Sequence, residues 1–338
     1  MEALVQKFIP NAEVRSFQPL SDGLIHQTYK VLVQSNAATQ YYILQRLNTA
    51  VFKKPFAVMK NLRLVQQHID SDYSLLLPQA LKTTDKGDLH CDSAGEFWRM
   101  FVFVENSQSF EIAPANSYIA EAGRSYGVFL GALKNFDANL LELTIPDFHH
   151  LQRRYDVFQQ KIQSACPQRL SQAKREIDRT CEFYRNCTVD LSGLPLRAVH
   201  NDCKLSNLLF DKTSGECLAV IDLDTLMPGT IATDFGDMVR GLCNTATEEE
   251  RDLNQVSFNI DHYKLLEGGF LDATKSWLTC AERESLAGGA HVIILEQAIR
   301  FLSDFLDNDT YYGAAYPGHN HHRARNQLTF LASMLEQI

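Results

Sequence analysis

The most constraining feature of the 338-residue chain is a set of polar side chains placed between short apolar segments. His200, Asp202 and Asn207 lie between two such segments, and Asp222 ends a third. Short apolar runs bounded by polar residues are typical of buried strands. The pattern therefore predicts a loop and a strand end that together present two carboxylates and an amide.

These residue types at this spacing are what phosphoryl transfer from ATP requires. Catalysis of that reaction depends on placing a hydroxyl nucleophile and on neutralising phosphate charge with Mg²⁺. Asp202 is the candidate acceptor of the nucleophile's proton, and Asn207 and Asp222 are candidate Mg²⁺ ligands. Asp224 is a second ligand candidate, because it would share a face with Asp222 on a continuing strand.

The spacing matches the catalytic loop of protein kinases, H-R-D-x-x-x-x-N, with Asn201 in place of the Arg. This replacement is the pattern of small-molecule kinases that resemble aminoglycoside phosphotransferases. A His-x-Asp triplet by itself is more often a turn in which the Asp caps a loop. The match extends to Asn207, to the apolar segments and to Asp222, and this extension favours the catalytic interpretation.

Residues 234–236 have the sequence Asp-Phe-Gly, which in protein kinases contains a metal-binding aspartate. This triplet follows a turn signal at residues 227–230, which closes the region of the Asp222 strand. Asp222 is therefore the better metal ligand by position. We predict that Asp234 and Asp237 instead brace the catalytic loop by accepting backbone hydrogen bonds, with helix N-capping as the alternative for either.

Composition indicates an ordinary globular protein with a small-molecule substrate. Hydrophobic residues make up 45% of the chain, and its length is sufficient for two domains. The formal net charge of -9 argues against nucleic-acid or anionic-membrane partners, since those need clustered Lys and Arg. A small neutral or cationic substrate fits this charge better.

The cysteines and the N-terminus indicate a reducing compartment. The eight cysteines contain no C-x-x-C pair and no regular framework, so we expect reduced thiols and no zinc site. The N-terminal segment lacks a basic region followed by an apolar core, and no window approaches the ~20 apolar residues of a membrane span. We therefore expect a cytoplasmic protein.

The distribution of strand and helix patterns predicts an α+β, bilobal, protein-kinase-like fold. Residues 1–106 form the expected N-lobe, an antiparallel nucleotide-binding sheet with one helix that begins at Pro55. Residues 107–338 form the expected C-lobe, which is mainly helical and carries the catalytic loop and substrate pocket. The active site is expected in the cleft between the lobes.

Two segments of the N-lobe are candidates for nucleotide contacts. Gly23 lies in a turn whose backbone N–H groups could approach a phosphate, although an ordinary hairpin turn is the favoured explanation of this segment by itself. Phe103, Val104 and Glu105 follow the last strand and form the expected hinge for adenine, with a plain interdomain linker as the alternative.

Over nearly its full length the chain resembles the N-acetylhexosamine 1-kinases within the aminoglycoside-phosphotransferase-like superfamily. The matching segments are residues 42–48, 97–101, 145–149, 199–207, 220–224 with 227–229, and 299–306, with residues 317–320 and 323–325 near the C-terminal end. The segments at 299–306 and 317–325 are more specific to this family than the catalytic loop.

The resemblance implies ATP- and Mg²⁺-dependent phosphorylation of the anomeric hydroxyl of N-acetylglucosamine or N-acetylgalactosamine. Asp202 would be the base, and Asn207 and Asp222 would hold Mg²⁺. Lys204 could neutralise the transferring phosphate, with a solvent-facing loop charge as the alternative. The residues that the resemblance assigns to the sugar are His26, Arg300 and a tyrosine at Tyr311 or Tyr312.

Several alternatives remain open at this stage. The strand-three Lys of typical kinases is absent, and either Gln45 or Arg46 could take its place, depending on strand register. Arg300 could instead form an internal ion pair with Glu296 or Asp304, four residues away on either side. The competing functions are a kinase for another sugar, an amino alcohol or an aminoglycoside, and a catalytically inactive nucleotide-binding module. The oligomeric state is undetermined.

Overall fold

The computed structural model describes residues 1–20, 25–35, 38–187 and 189–338. The chain divides into two compact units. The first, here called the sheet unit, comprises Met1–Ser109, Asn135–Pro146 and Ser206–Pro228. The second, the helical unit, comprises Phe110–Lys134, Asp147–Leu205 and Gly229–Ile338. The division at Ser109 is close to the expected domain boundary, but each unit also takes in later segments of the chain.

The sheet unit is built on a five-stranded antiparallel sheet with the order β1-β2-β3-β5-β4. Its strands are β1 (Glu13–Leu20), β2 (Gln27–Ser35), β3 (Ala38–Arg46), β4 (His90–Cys91) and β5 (Phe97–Val102). Alternate residues such as Val31, Leu44 and Met100 are buried on one face, where they pack with Val5 and Phe8. Val5 ends α1 (Glu2–Val5), a one-turn helix that the sequence analysis did not predict.

The remaining elements of the sheet unit position the second half of the polar motif. Helix α2 (Pro55–His68) begins at the proline that predicted it, because proline fixes φ and needs no donor at a helix start. A three-stranded antiparallel sheet, ordered β6-β8-β9, consists of β6 (Ser107–Gln108), β8 (Leu208–Asp211) and β9 (Cys217–Val220).

In the part of the chain that the structure describes, the helical unit contains nine α-helices. They are α3 (Asn116–Ala132), α4 (Leu151–Ser164), α5 (Pro167–Gln172), α6 (Lys174–Cys187), α7 (Ile231–Leu242), α8 (Ile260–Thr274), the five-residue α9 (Cys280–Glu284), α10 (Leu286–Leu306) and α11 (His319–Leu335). Strand β7 (Arg197–Val199) also lies in this unit. Strand β10 (Met227–Gly229) begins in the sheet unit, and only its last residue, Gly229, belongs to the helical unit. The amphipathic segment that the sequence indicated from about Arg153 to Tyr184 is divided at Pro167 into three helices, since proline cannot continue the α4 hydrogen bonds. Within the described ranges, no helix has both the length and the apolar character to cross a membrane.

Helices α3 and α8 pack closely because glycines line their contact. A Cβ atom added to Gly123 would lie 2.2 Å from the Leu266 carbonyl oxygen, and one added to Gly269 would lie 2.0 Å from the Ala120 carbonyl oxygen. Gly268, one residue earlier, has no heavy atom within 4 Å of such a Cβ. Of these two neighbouring glycines of α8, Gly269 therefore faces the packed backbone of α3, whereas Gly268 faces open space.

This contrast gives a matched pair of variants. We expect Gly269→Ala to lower the free energy of unfolding by about 1–3 kcal/mol, because the new methyl group forces the two helices apart. Gly268→Ala should raise it by up to about 1 kcal/mol, since alanine is the better helix former and meets nothing. Urea unfolding followed by circular dichroism measures both. Equal effects of the two substitutions would contradict the close α3–α8 packing.

Candidate active site

The turn at residues 200–203, which contains the candidate base Asp202, is held by two buried carboxylates of α7. The Asp234 carboxylate accepts hydrogen bonds from the backbone N–H groups of His200 (2.7 Å) and Asn201 (2.8 Å). Asp237 accepts one from the N–H of Cys203 at 2.7 Å. These contacts confirm the prediction that the two aspartates brace the loop. Burial raises the pKa of Asp234 above its ordinary value, although the two N–H groups oppose the shift.

The turn itself is unusual because Asn201 has a positive φ of 64°. Asparagine tolerates this left-handed conformation better than most residues. The Asn201 carbonyl accepts a hydrogen bond from His149 Nε2 at 3.0 Å, and the Tyr126 hydroxyl donates one to the Lys204 carbonyl at 2.8 Å. The loop is thus fixed through its main-chain donors and acceptors on both sides of Asp202.

The side chain of Asp202 forms an ion pair with Lys204. Its Oδ2 atom lies 3.0 Å from Lys204 Nζ, and both side chains are partly exposed, at 23% and 35%. The backbone N–H of Asp202 donates to His200 Nδ1 at 3.2 Å, and the buried His200 ring packs edge-on against Tyr126. The two predicted catalytic side chains, Asp202 and Lys204, are therefore brought together.

The two predicted metal ligands lie at the same end of the β8–β9 ladder in the sheet unit. Leu208 pairs with Val220, and the Ile221 N–H donates to the Asn207 carbonyl at 2.9 Å. Asp222 follows directly in a left-handed conformation, with φ 60° and ψ 56°. Carboxylate and amide oxygens are the protein ligands that Mg²⁺ prefers. Asn207 and Asp222 therefore form a donor set that suits Mg²⁺.

Asp224, the second ligand candidate, belongs instead to a buried ion network. Its two oxygens lie 2.7 Å and 2.8 Å from the two terminal nitrogens of Arg99, and Oδ2 lies 2.7 Å from His26 Nε2. Ligand atoms of His26, Asp222 and Asp224 lie within 4.8 Å of one another, as in some metal sites. The pairing with Arg99 neutralises Asp224, so this cluster is better described as an ion network than as a metal site.

His26, which the family resemblance assigned to the sugar, is buried in the same network. Its Nδ1 atom accepts a hydrogen bond from the Asn48 N–H at 3.0 Å, so the ring proton must lie on Nε2, which donates to Asp224. Burial alone would raise the pKa of Asp224, but Arg99 and the hydrogen bond from His26 hold it well below its usual range.

The nucleotide candidates of the sheet unit are only partly described. Gly23 lies outside the described residues. Gln45 donates to Thr28 Oγ1 and accepts from Arg99 Nε, both at 3.0 Å, whereas Arg46 lies 3.6 Å from Glu96 with a third of its side chain exposed. The cation closest to Gln45 in this network is therefore Arg99 of β5, which sequence reasoning did not identify.

The expected hinge residues follow β5 directly. Phe103 donates its N–H to the Tyr41 carbonyl at 3.2 Å, and the Val104 carbonyl accepts from the Ser107 hydroxyl. Glu105 is exposed. The Lys30 ammonium lies 3.8 Å from the Phe103 ring centroid, which places a cation beside the expected adenine position.

The helical unit contains a cavity of about 210 Å³ that brings together three of the residues assigned to the sugar. Its walls include Arg154, Lys161, Arg300, Asp304, Tyr311 and Tyr312. Asp304 is occupied by the N–H groups of Tyr311 (2.7 Å) and Tyr312 (3.0 Å), and Asp307, also in the wall, pairs with Lys161 at 2.7 Å. The carboxylates of the cavity are therefore already paired.

Arg300 does not form the internal ion pair that the sequence left open. Within the described ranges, no carboxylate oxygen lies within 4.0 Å of its guanidinium nitrogens. Arg300 Nη1 donates a hydrogen bond to Gln297 Oε1 at 3.3 Å. The guanidinium carbon lies 5.6 Å from the ring centroid of Phe148 and 5.5 Å from that of Tyr312. A partly buried guanidinium held mainly by aromatic faces retains donors for a ligand.

Sequence reasoning missed Arg154, His149 and Phe148. Arg154 was one of many polar residues on an amphipathic helix, and nothing in the helical periodicity distinguished it. Phe148 and His149 lie in the segment 145–149 that carried part of the family resemblance, but no role was attached to either. That segment was the available signal.

The chain is similar to known phosphotransferases in sequence family and in fold. The model of the phosphotransferase enzyme family (APH) matches residues 16–265. An aminoglycoside phosphotransferase from Alicyclobacillus acidocaldarius is 13% identical, with a TM-score of 0.60, and the match covers 100% of this chain and 96% of that one. A microcompartment-associated aminopropanol kinase is 15% identical, with a TM-score of 0.54 and coverage of 99% and 95%.

A third solved structure, the AMP-bound complex of a spectinomycin phosphotransferase, is 11% identical, with a TM-score of 0.59 and coverage of 99% and 97%. Since the family model matches most of the chain, the chain belongs to the phosphotransferase enzyme family. The expected α+β, kinase-like fold is confirmed.

The Arg99–Asp224 pair yields a prediction about stability and pH. We expect Arg99→Met to lower the free energy of unfolding at pH 7 by about 3–5 kcal/mol, because a buried carboxylate loses its counter-charge. The lowered pKa of Asp224 stabilises the fold above the unfolded value of about 3.9, and this contribution is lost as the pH falls through the folded value. Without Arg99, burial raises the pKa of Asp224 above the unfolded value, so protonation removes the buried charge and the loss of stability should become smaller as the pH is lowered from 7 towards 4.

Urea titrations at several pH values measure the difference in the free energy of unfolding between the wild type and Arg99→Met. Arg15→Met is the matched control, because Arg15 forms an exposed ion pair with Glu13 on the same sheet and should cost less than about 1 kcal/mol. A deficit for Arg99→Met that equals the control, or that does not change with pH, would contradict the ion network.

Proposed function

We propose that the protein transfers the γ-phosphoryl group of ATP to the anomeric hydroxyl of an N-acetylhexosamine, giving the sugar 1-phosphate and ADP. The proposal has two supports of different kinds. Membership of the phosphotransferase family and the bracing of the Asp202 loop support the reaction. The full-length resemblance to N-acetylhexosamine 1-kinases and the cavity around Arg300 support the acceptor.

In this mechanism Asp202 accepts the proton of the attacking hydroxyl while the acceptor oxygen approaches phosphorus in line with the leaving ADP. Its fixed main chain favours the reaction, because a general base must meet the hydroxyl at hydrogen-bonding distance. Lys204, 3.0 Å from Asp202, supplies a positive charge that can offset negative charge on the transferring group.

Asn207 and Asp222 would hold Mg²⁺, which neutralises charge on the phosphate oxygens when it is bound. Asn207 is five residues after Asp202 in the chain, the spacing of the kinase loop. The hydrogen bond from Ile221 to the Asn207 carbonyl keeps the two proposed ligands at one end of the ladder. Lys30, Phe103, Val104 and Glu105 are the proposed surroundings of the adenine ring.

The observation that carries the acceptor assignment is the charge of the cavity. Asp304 and Asp307 are satisfied within the protein, whereas Arg300 has no carboxylate within 4.0 Å in the described part of the chain. Guanidinium N–H groups are donors only, so they favour acceptor atoms such as sugar hydroxyls or an acetamido carbonyl. Tyr312 adds a ring beside Arg300 that can pack against the apolar face of a sugar.

The alternative acceptors are the cationic ones of the structurally similar proteins. Two of those proteins are an aminoglycoside phosphotransferase and an aminopropanol kinase, whose names indicate amine-bearing acceptors. An ammonium group would be repelled by Arg154 and Arg300, which line the cavity. We therefore favour the neutral acetamido sugar.

The product identifies the reaction directly. The protein is incubated with ATP, Mg²⁺ and one acceptor at a time, and phosphorus NMR records the product. We expect an anomeric 1-phosphate from N-acetylglucosamine or N-acetylgalactosamine and none from an aminoglycoside or an amino alcohol. ADP formation with the amine-bearing acceptors alone would overturn the acceptor assignment and leave the phosphotransferase reaction intact.

Two variants locate the activity in the proposed site. Asp202→Asn should lower kcat by about 10²–10⁴-fold, because it removes the proton acceptor. Arg300→Met should raise the KM for the sugar and leave the KM for ATP unchanged. Near-normal turnover by Asp202→Asn, in protein with an unchanged circular dichroism spectrum, would exclude its role as the base.

The metal assignment has its own test. Asp222→Ala should weaken Mg²⁺-dependent ATP binding by at least about 100-fold, since even partners of metal ligands contribute 10–100-fold. Isothermal calorimetry with and without Mg²⁺ measures the difference. Asp72→Asn is the control, because Asp72 is an exposed carboxylate of the same unit. An unchanged metal dependence in Asp222→Ala would assign Mg²⁺ to other residues.

A further inference from the structure

His149 lies between the catalytic turn and the long helix α10. Its ring is 11% exposed. Nε2 lies 3.0 Å from the Asn201 carbonyl oxygen, and Nδ1 lies 3.4 Å from Glu296 Oε1. A carbonyl and a carboxylate both accept hydrogen bonds, so both ring nitrogens must carry protons for the two contacts to form together. The geometry therefore fits an imidazolium.

Glu296 supplies the counter-charge for this imidazolium. It is 1% exposed in α10, and a carboxylate at such a position is stable only when it is paired. Glu296 Oε1 lies 3.4 Å from His149 Nδ1 and 3.8 Å from Arg154 Nε. His149 is the closer of the two, so its proton is a main source of stabilisation for the buried charge.

The carboxylates around the His149 ring favour its protonated form. Burial would lower the pKa of His149, but Glu296, followed by Asp237 of α7, raises it above the ordinary histidine value. Arg154 of α4 faces Glu296 and opposes this effect in part. The carboxylates of the surrounding helices therefore favour the imidazolium over the neutral ring.

The contact with Asn201 connects this ion pair to catalysis. Asn201 directly precedes Asp202 and has the positive φ of 64° that turns the chain there. Asp234 fixes the N–H of Asn201, and His149 fixes its carbonyl. A left-handed non-glycine residue costs free energy and persists only where its surroundings hold it.

We infer that His149 is a positioning residue, which, as an imidazolium between Glu296 and the Asn201 carbonyl, holds the turn that presents Asp202. This inference rests on the proposed role of Asp202 as base. It deepens that role, because the same Glu296 also faces Arg154 in the wall of the cavity, and the neighbouring Phe148 faces Arg300. One ion cluster thus supports both the acceptor cavity and the base.

The test compares His149→Gln with His150→Gln, the exposed histidine next to it. Glutamine can keep one hydrogen bond but cannot carry the charge. We expect His149→Gln to lower kcat by about 10–10²-fold, the order of effect of a small misplacement, and to leave the KM for ATP within about twofold. His150→Gln should behave as the wild type. An unchanged kcat in folded His149→Gln would overturn the inference.

The pH profile separates positioning from a merely structural role. Wild-type kcat should fall on the alkaline side, as His149 loses its proton above the ordinary value of about 6.5, and His149→Gln should lack this fall. Glu296→Gln should move the fall to lower pH, because the raising charge is gone. A profile that is identical in the wild type and both variants would contradict the inference.

A measurement without turnover keeps the inference independent of the proposed function. Nitrogen-15 NMR of histidine-labelled full-length protein, with the His149 signal identified by its absence in His149→Gln, reports ring protonation. We expect a doubly protonated ring at pH 7 and an earlier loss of the proton in Glu296→Gln. A neutral His149 ring at pH 6.5 would overturn the imidazolium, whatever acceptor the enzyme uses. If His149→Gln does not fold, the signal that moves in Glu296→Gln identifies the residue.

Discussion

The turn that carries the proposed base Asp202 depends on buried carboxylates that bind main-chain N–H groups. Residues 200–203 make a tight turn without glycine, and such a turn leaves backbone donors that must be satisfied in the interior. Asp234 and Asp237, one helical turn apart on α7, accept three of these donors. Helix α7 can carry out this role because it approaches α10 closely: a Cβ on Gly236 would lie 2.5 Å from the Gly289 carbonyl oxygen. The position of Asp202 is thus determined by helix packing as much as by its own loop.

The two units use charge burial in different ways. In the sheet unit, Asp224 is neutralised by a bidentate guanidinium and a neutral histidine, which stabilises the short turn after Asp222. In the helical unit, Glu296 is paired with a histidine that also binds the main chain. A buried pair costs desolvation free energy and stabilises the fold little, but loss of one partner is expensive. Both networks therefore fix geometry next to the proposed catalytic residues more than they add stability.

In the proposed acceptor cavity, some charged side chains are paired within the protein and others retain donors for a ligand. A count of the charged residues in its walls gives three cations, Arg154, Lys161 and Arg300, against two anions, Asp304 and Asp307, which suggests a small positive excess. The hydrogen bonds strengthen that conclusion, because the aspartates bind backbone N–H groups or Lys161, whereas Arg300 faces mainly aromatic rings. The recognition chemistry of the pocket is therefore defined by the donors that the protein itself leaves for a ligand.

The sequence by itself determined the α+β fold, the start of α2 at Pro55 and the role of Asp234 and Asp237, because strand periodicity, proline geometry and loop spacing are local properties. It also placed Asp202 next to Lys204 and indicated the residues now found around one cavity. It could not decide between Gln45 and Arg46, and it did not identify Arg99, Arg154 or His149. Those side chains acquire their roles from partners 50 to 150 residues away, such as Asp224 for Arg99, and pairing at such separations is decided only when the chain is packed. Which charges are neutralised, and which remain available to a substrate, is therefore a property of the tertiary structure.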